Sequence, residues 1–325
     1  MTSDLDIIAG TAELAAPAPG SDHPHVPVPS PSRWRDVFRQ ILHSWSGRIG
    51  LVVATLIIAM AVFAPLIAPF GPDEVLLDSA TNEVRLERPC VHVLGCDESE
   101  VQHLMGLDEN GRDEFSRLVF GARISLLAGA AAVVLAVVVG TIIGLVAGFF
   151  GGRLDNVLMR CMDVLLSFPS LLLAILIVTV LGRGLINSVL AIAIVSVPAY
   201  ARVVRGQVLS VREQDFITAD RALGVRSGRL LFHRVFPNTL TPLIVQATLG
   251  FATAVLEIAA LGFLGLGVQP PDAEWGTMIS AAYRNIFNSP HLVFWPGLMI
   301  FINVLAFNLL GDSLRDALDP RSARR

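Results

Sequence analysis

Six windows of the chain, 49–69, 124–150, 164–181, 185–201, 239–264 and 292–310, are apolar along nearly their whole length, and none holds more than one charged residue. The hydrocarbon core of a bilayer is about 30 Å thick, so a helix needs roughly 20 apolar residues to cross it. In lipid every backbone N–H and C=O must find a partner within the protein, which leaves helices or a closed barrel as the spanning structures. Windows of this length fit helices and are far too long for barrel strands. The expected fold class is therefore all-α: a polytopic membrane protein with six transmembrane helices. The window at 185–201 is the shortest and contains Pro198.

Composition agrees and excludes several kinds of chemistry. Hydrophobic residues make up 53% of the 325 and charged residues 16%, against the roughly 25% charged of soluble chains. All 24 residues counted as Lys+Arg are arginine. Without lysine the chain lacks the phosphate-binding lysine of a P-loop and the amine of Schiff-base catalysis, so it is not expected to be a standard ATPase by itself. A net charge of -4 and a pI near 6.0 give no basic surface for nucleic acid. The seven histidines are scattered and form no H-E-x-x-H pair, so no metal site is expected. With the N-terminus inside, seventeen arginines fall in inner segments against seven in outer ones. The positive-inside rule then places both termini in the cytoplasm.

In chain order, residues 1–32 are rich in Ala, Pro and Ser and read as a disordered tail. Residues 33–48 interleave Arg33, Arg35, Arg39 and Arg48 with Trp34, Phe38, Ile41, Leu42 and Trp45, the pattern of an amphipathic helix on the membrane surface in contact with lipid. The first span, 49–69, is followed by an outer loop, 70–123. Within it Phe115, Leu118 and Val119 are expected to face lipid or a neighbour, with Arg112, Asp113 and Arg117 at headgroup level. Gly140, Gly144 and Gly148 recur every fourth residue, a ridge that lets another helix approach closely, and Gly151 and Gly152 follow it. Trp275 and Trp295 are expected to anchor at the membrane interface. The core spans 124–313, with a cytoplasmic tail at 314–325.

Between the fourth and fifth windows lies a charged island, Q-D-F-I-T-A-D-R-A-L-G-V-R-S-G-R-L-L-F-H-R-V-F-P-N, within a cytoplasmic segment at 205–238. Phe216, Ala219 and Leu223 recur at helical spacing and give its first half an apolar face that must rest on something. Gly224 turns the chain, Ser227 is placed to cap a second short helix, and Pro237 is expected to end it. This helix-turn-helix resembles the "EAA" loop of bacterial ABC importer permeases through Thr218, Ala219, Asp220, Gly224 and the Val235-Phe236-Pro237 close. Thr218 stands where that family has glutamate, and Asp220 where it has its second alanine. In the family the loop docks into a groove of a separate ATPase subunit and transmits its motion.

Further signatures resemble the dipeptide and oligopeptide branch of that family. They are L-D-E-N-G-R-D-E-F-S-R-L-V-F-G-A-R-I-S-L, from Leu107 to Leu126; the segment holding Asp155, Met159, Arg160, Asp163, Phe168 and Pro169; G-F-L-G-L-G-V-Q-P-P-D-A-E-W-G-T-M, from Gly262 to Met278; and the closing stretch with Asn308, Gly311, Asp312, Arg315, Asp316, Asp319, Pro320 and Arg321. The resemblance implies the type I importer permease architecture and identifies the chain as similar to the C-type permease. It further implies a bacterial cytoplasmic membrane, a second, B-type permease, two ATP-binding subunits and an extracytoplasmic solute-binding protein. No cofactor is expected on this chain, and ATP and Mg belong to the partner subunits. Peptides are the expected substrate, with nickel or another small solute as the alternative.

Three further sets of residues carry open readings. Glu257 is the one acid inside a window, and it either lines the translocation path or anchors to a neighbouring helix or headgroup. Asp163, at the cytoplasmic mouth of the third window and one turn from Arg160, forms an ion pair or takes part in gating. Cys90 and Cys96, in the outer loop on the oxidising side, form a disulfide, stay as free thiols, or join His92 and His103 at zinc, while Cys161 at the inner face stays reduced. Outside the importer reading, an ion-driven secondary transporter calls for inverted repeats and midplane acids, and an intramembrane protease for a Ser/His or paired-Asp arrangement within the windows. The sequence shows none of these.

Overall fold

The small-residue ridge organises the bundle. In the computed structural model, which describes residues 31–76, 86, 88–90 and 103–318, the chain has twelve α-helices among those residues. α1 (Pro31–His43), α2 (Trp45–Val62) and α3 (Ala64–Ile67) precede the outer loop. α4 (Glu114–Phe150), α5 (Gly152–Leu166), α6 (Ser170–Leu181) and α7 (Leu185–Arg212) form the first half of the core. α8 (Asp215–Ala222), α9 (Ser227–Leu230), α10 (Phe236–Phe263), α11 (Trp275–Ala282) and α12 (His291–Leu318) complete it, with a π-helical turn at Leu231–Val235 between α9 and α10. α4 is the central column and lies along α7. A Cβ at Gly140, Gly144 or Gly148 would come within 2.9 Å of α7 atoms at Tyr200, Ala201 and Val208, so the ridge is what permits the approach. Gly151 and Gly152, both at positive φ, end α4 instead of extending the ridge.

Among the described residues five helical stretches are long and apolar enough to span, one of them running from α9 through the π-helical turn into α10. The third expected window, 164–181, differs: it is broken at Ser167-Phe168-Pro169, where α5 and α6 meet at 93°. Proline disfavours helical geometry at the residue before it, and here Pro169 stands as the N-cap of α6 with no side chain capping that end. α6 alone has 12 residues, about 18 Å of helix, too short to cross by itself. α7 runs straight through Pro198 to Arg212, so residues 205–212 of the expected cytoplasmic segment belong to a helix. Likewise α12 continues to Leu318, beyond the expected start of the C-terminal tail at 314, and α1 begins at Pro31, within the expected tail. Most of that tail, and residues 319–325, lie outside the described residues.

The described part of the loop between α3 and α4 is tied down rather than laid on headgroups. Arg117 is buried; its Nη1 donates to Pro72 O at 2.7 Å and to Asp73 Oδ1 at 3.3 Å, and its Nη2 to Pro271 O at 3.2 Å. Asp113 is buried as the N-cap of α4 and accepts from the Ser116 N–H at 2.7 Å and its hydroxyl at 2.6 Å. Arg112 grips Asp108 at 2.7 Å. Leu118 and Val119 are core residues. The expected headgroup placement is therefore corrected: α4 starts ten residues before the apolar window, and its first turns are enclosed by the loop before it and the segment around Pro271.

Candidate functional site

The knob begins where α7 ends. α8 packs on the bundle through Ile217, which is fully buried, while Phe216 is 39% and Leu223 82% exposed, and Thr218 and Ala219 are also exposed. The apolar face expected from the periodicity exists, and among the described residues it is left largely open. The end of α8 is closed by two bonds that belong together: the Val225 N–H donates to Asp220 O at 3.1 Å and the Gly224 N–H to Arg221 O at 3.0 Å. This is a Schellman motif with Gly224 at its left-handed position, φ +78°. Asp220 is half-buried, and its Oδ2 accepts from Arg234 Nε at 3.0 Å. That contact ties α8 to the π-helical turn, so Asp220 holds the knob together within the chain.

Two expectations about the second half of the knob are corrected. Ser227 is the first residue of α9 and Arg226 its N-cap, with no side-chain capping bond. Pro237 does not end a helix; it sits in the first turn of α10, and helix runs from Ser227 to Phe263. The π-helical turn explains this. A proline inside a helix removes one N–H and pushes its ring at the preceding turn. The wider i→i+5 turn lets the Phe236 N–H reach Leu231 O, and Asn238 Nδ2 donates to Arg234 O at 2.6 Å.

Above the knob, α5 is strapped to α7 by two ion pairs. Asp155 meets Arg205 through two bonds of 2.6 and 2.7 Å, and Asp163 meets Arg202 at 2.6 Å. Asp163 therefore pairs across to α7 and not with Arg160 one turn away. The sequence reading missed Arg202, Arg205 and Asp155; the signal was present in two acids eight residues apart on one helix and two arginines three apart on another. Cys161 is a free, exposed thiol. Cys90 is buried and disulfide-bonded, and Cys96 lies outside the described residues.

Glu257 lies on α10, half-buried, with Ser170 at the start of α6 as its polar neighbour. The acid the sequence reading overlooked is Glu274. It is fully buried at the N-cap of α11, and its carboxylate accepts from the Gly276 and Thr277 N–H groups at 2.9 and 3.0 Å and from the Ser125 hydroxyl at 3.2 Å. Burial pushes this carboxyl above the ordinary glutamate range, and the three donors pull the other way. Next to it Trp275 is fully buried, with Nε1 donating to Leu118 O at 3.1 Å. Trp275 is thus a core residue where α11 folds back onto α4 and α10, which corrects its expected interface position. Trp295 is half-buried beside Phe294, and its buried Nε1 meets no acceptor among the described residues. Among the described residues no cluster of His, Cys, Asp and Glu is arranged to hold a metal ion.

Comparison with known proteins gives this arrangement a family. Residues 140–324 match the family described as binding-protein-dependent transport system inner membrane component, and residues 32–88 match the N-terminal TM domain of oligopeptide transport permease C. The chain is 46% identical over 308 residues, 95% of its length and 96% of the relative's, to the dipeptide transport system permease protein DppC of Alkalihalophilus pseudofirmus. It is 47% identical over 304 residues, 94% and 96% of the two chains, to the di/tripeptide transport system permease protein DppC of Pseudomonas aeruginosa. It is 41% identical over 289 residues, 89% and 90%, to the glutathione transport system permease protein GsiD of Escherichia coli. Among solved structures, the inward-facing MetNI methionine ABC transporter aligns with a TM-score of 0.53 at 19% identity, over 62% of this chain and 96% of that one, a likeness of fold. The chain belongs to the family of binding-protein-dependent transport system inner membrane components, the membrane permeases of ABC importers.

Proposed function

We propose that this chain is one of two permeases of an importer that carries peptides across the cytoplasmic membrane. The reading of peptide as substrate draws on the names of its relatives. Substrate comes from an extracytoplasmic solute-binding protein and crosses between this chain and a B-type permease. ATP and Mg are held by two ATP-binding subunits, and this chain binds no cofactor. Both termini face the cytoplasm, and 213–235 is the coupling segment. The observation that carries the proposal is the face of Phe216, Ala219 and Leu223, apolar yet exposed, on a knob whose own chain fixes it through Ile217 and the Asp220–Arg234 pair. An exposed apolar face rigidly held is what a partner groove requires. Glu257 and the polar positions in line with it on α10 line the path, and the Asp163–Arg202 pair fastens α5 beside it.

The test is reconstitution of the four membrane-associated subunits in proteoliposomes with the binding protein. ATP hydrolysis and uptake of radiolabelled Ala-Ala should both rise with loaded binding protein, and Ala219→Arg should abolish the stimulation while the two permeases still co-purify. Stimulated uptake of nickel without Ala-Ala uptake would overturn the substrate. Full coupling in Ala219→Arg would overturn the role given to the knob.

A further inference from the structure

α10 carries no basic residue, and Glu257 is its only acid. Gln246, Gly250, Thr253 and Glu257 are spaced four, three and four residues apart, which puts them in one line on the helix. None of the four is buried by the rest of the chain, and Thr253 is exposed. Uncovered positions on α6 are mostly apolar, as at Leu172, Leu176 and Val180, and the exposed Thr179 among them turns its hydroxyl back onto Ile175 O at 2.7 Å. An uncovered polar line in a membrane helix faces water or another protein, because lipid offers no hydrogen bonds.

One neighbouring helix adds to the line and another packs behind it. A Cβ at Gly250 would lie 2.1 Å from the Tyr200 hydroxyl, so the glycine makes room for that buried α7 side chain behind the line. Ser170 of α6 stands beside Glu257. At its cytoplasmic end the line meets a cleft of about 460 Å³ between α7, α10 and α12, whose lining includes Gln246, Gln207 and Arg315. From Gln246 to Glu257 the helix rises about 16 Å. The side chains of the line are neutral up to Glu257, whose carboxylate is the one acid on it, while Arg315 of α12 lines the cleft at its other end.

We propose that Glu257 is a specificity-determining residue that takes the protonated α-amino group of the peptide during its passage, with the Thr253 and Ser170 hydroxyls available to the peptide's amides. This rests on the reading of the α10 line as part of the path. A free amine satisfies the carboxylate, whereas an acetylated amino terminus leaves it unpaired in a low-dielectric surrounding.

The experiment uses the detergent-solubilised complex without binding protein, so that selection by that protein does not enter, and a Cys161→Ser background. Thr253→Cys is labelled with a cationic methanethiosulfonate (MTSEA) and an anionic one (MTSES). Relative to a small free thiol in solution, the cationic reagent is expected to be favoured by about tenfold, the effect of one charge a few ångströms away at intermediate dielectric. Glu257→Gln should abolish that preference and Glu257→Asp should keep it. Ala-Ala at millimolar concentration should slow labelling, and N-acetyl-Ala-Ala should not. If Thr253→Cys reacts with neither reagent, the line does not face water and the path reading itself fails. If it reacts with no charge preference, or Glu257→Gln keeps the preference, or both dipeptides protect equally, the role of Glu257 is overturned while the path stands. If Glu257→Gln does not assemble, the dipeptide protection in the Glu257 protein decides: equal protection by the two peptides shows that the acid pairs with the second permease instead.

Discussion

Gly224 offers a perturbation whose effect can be separated from folding. It holds φ +78° in the Schellman motif that closes α8, and a Cβ added there would meet no atom within 4 Å. Any cost of substitution is therefore conformational and not steric. An L-residue in the left-handed region costs about 1–2 kcal/mol, less for asparagine, which visits that region more readily, and more for a β-branched side chain. The series Asn, Ala, Val should then weaken the turn in that order, with valine costing about 2 kcal/mol or more. That amounts to roughly a thirtyfold change in the equilibrium between the closed turn and its alternatives. Ile217 and the α7–α4 packing are untouched, so the unfolding midpoint of the purified permease pair should stay constant across the series. The measurement is ATPase stimulation as the ATP-binding subunits are titrated onto the permease pair: half-maximal stimulation should need progressively more subunit from Asn to Val. Equal coupling in all three variants would refute the argument that this turn presents the docking face. So would a fall in the unfolding midpoint that tracks the loss of coupling, since the defect would then be global.

Other outcomes follow from the same geometry. Asp155→Asn breaks a two-bond pair whose carboxylate is only 12% exposed, and should cost about 2 kcal/mol; Asp163→Asn breaks a pair exposed by 47% and 52%, and should cost under about 1 kcal/mol. Urea unfolding of the two variants checks the ranking, and a larger loss for Asp163 would contradict it. Glu274→Ala removes a cap and leaves three buried donors without an acceptor, so a loss of about 3 kcal/mol or more is expected; an unfolding midpoint within a degree of the parent would show that the site relaxes or takes in water. Cys90 and Cys96 should resist alkylation until reduced, whereas Cys161 should label at once, as read by peptide mass spectrometry; labelling of all three without reductant would exclude the bridge. Cysteines placed at Ser21 and Ser99 should respectively escape and accept an impermeant reagent in intact cells, and the reverse pattern would invert the topology.

Much of the bundle was legible because lipid enforces a simple rule: long apolar windows become helices, and a fourfold run of glycines marks where two of them touch. What the sequence hid depended on local geometry. Pro169 and Pro237 are each a helix breaker by the same rule, yet one breaks a span at 93° and the other sits in the first turn of a helix. The difference lies in the backbone around the ring. At Pro237 a wider π-helical turn precedes the ring and the helix continues through it. At Pro169 no side chain caps α6, and the chain bends instead. The charged residues were harder still. Arg112, Asp113 and Arg117 look like headgroup residues because they precede an apolar window, but arginine next to aspartate serves equally well as a buried tie, and only the fold of the outer loop decides between the two.

The knob reverses the usual relation between pattern and burial, and that reversal is itself informative. Periodicity assigns Phe216, Ala219 and Leu223 to a packed face, and within this chain they are exposed while Ile217, one position off that face, is the residue that is fully buried. Phe232 on the following π-helical turn adds a further exposed aromatic, 62% open. A soluble loop evolves away from such surfaces because they aggregate. Here the apolar residues stay, on a short helix held by a Schellman turn and an ion pair that would be superfluous if the segment merely linked two spans. A sequence that patterns a face for burial, together with a fold that leaves it open and stiffens the element carrying it, implies that the burial is completed by another polypeptide. The same reasoning applies to the polar line on α10, whose exposure makes sense only against water or a second permease. In both places the informative residues are those where the pattern and the single chain disagree.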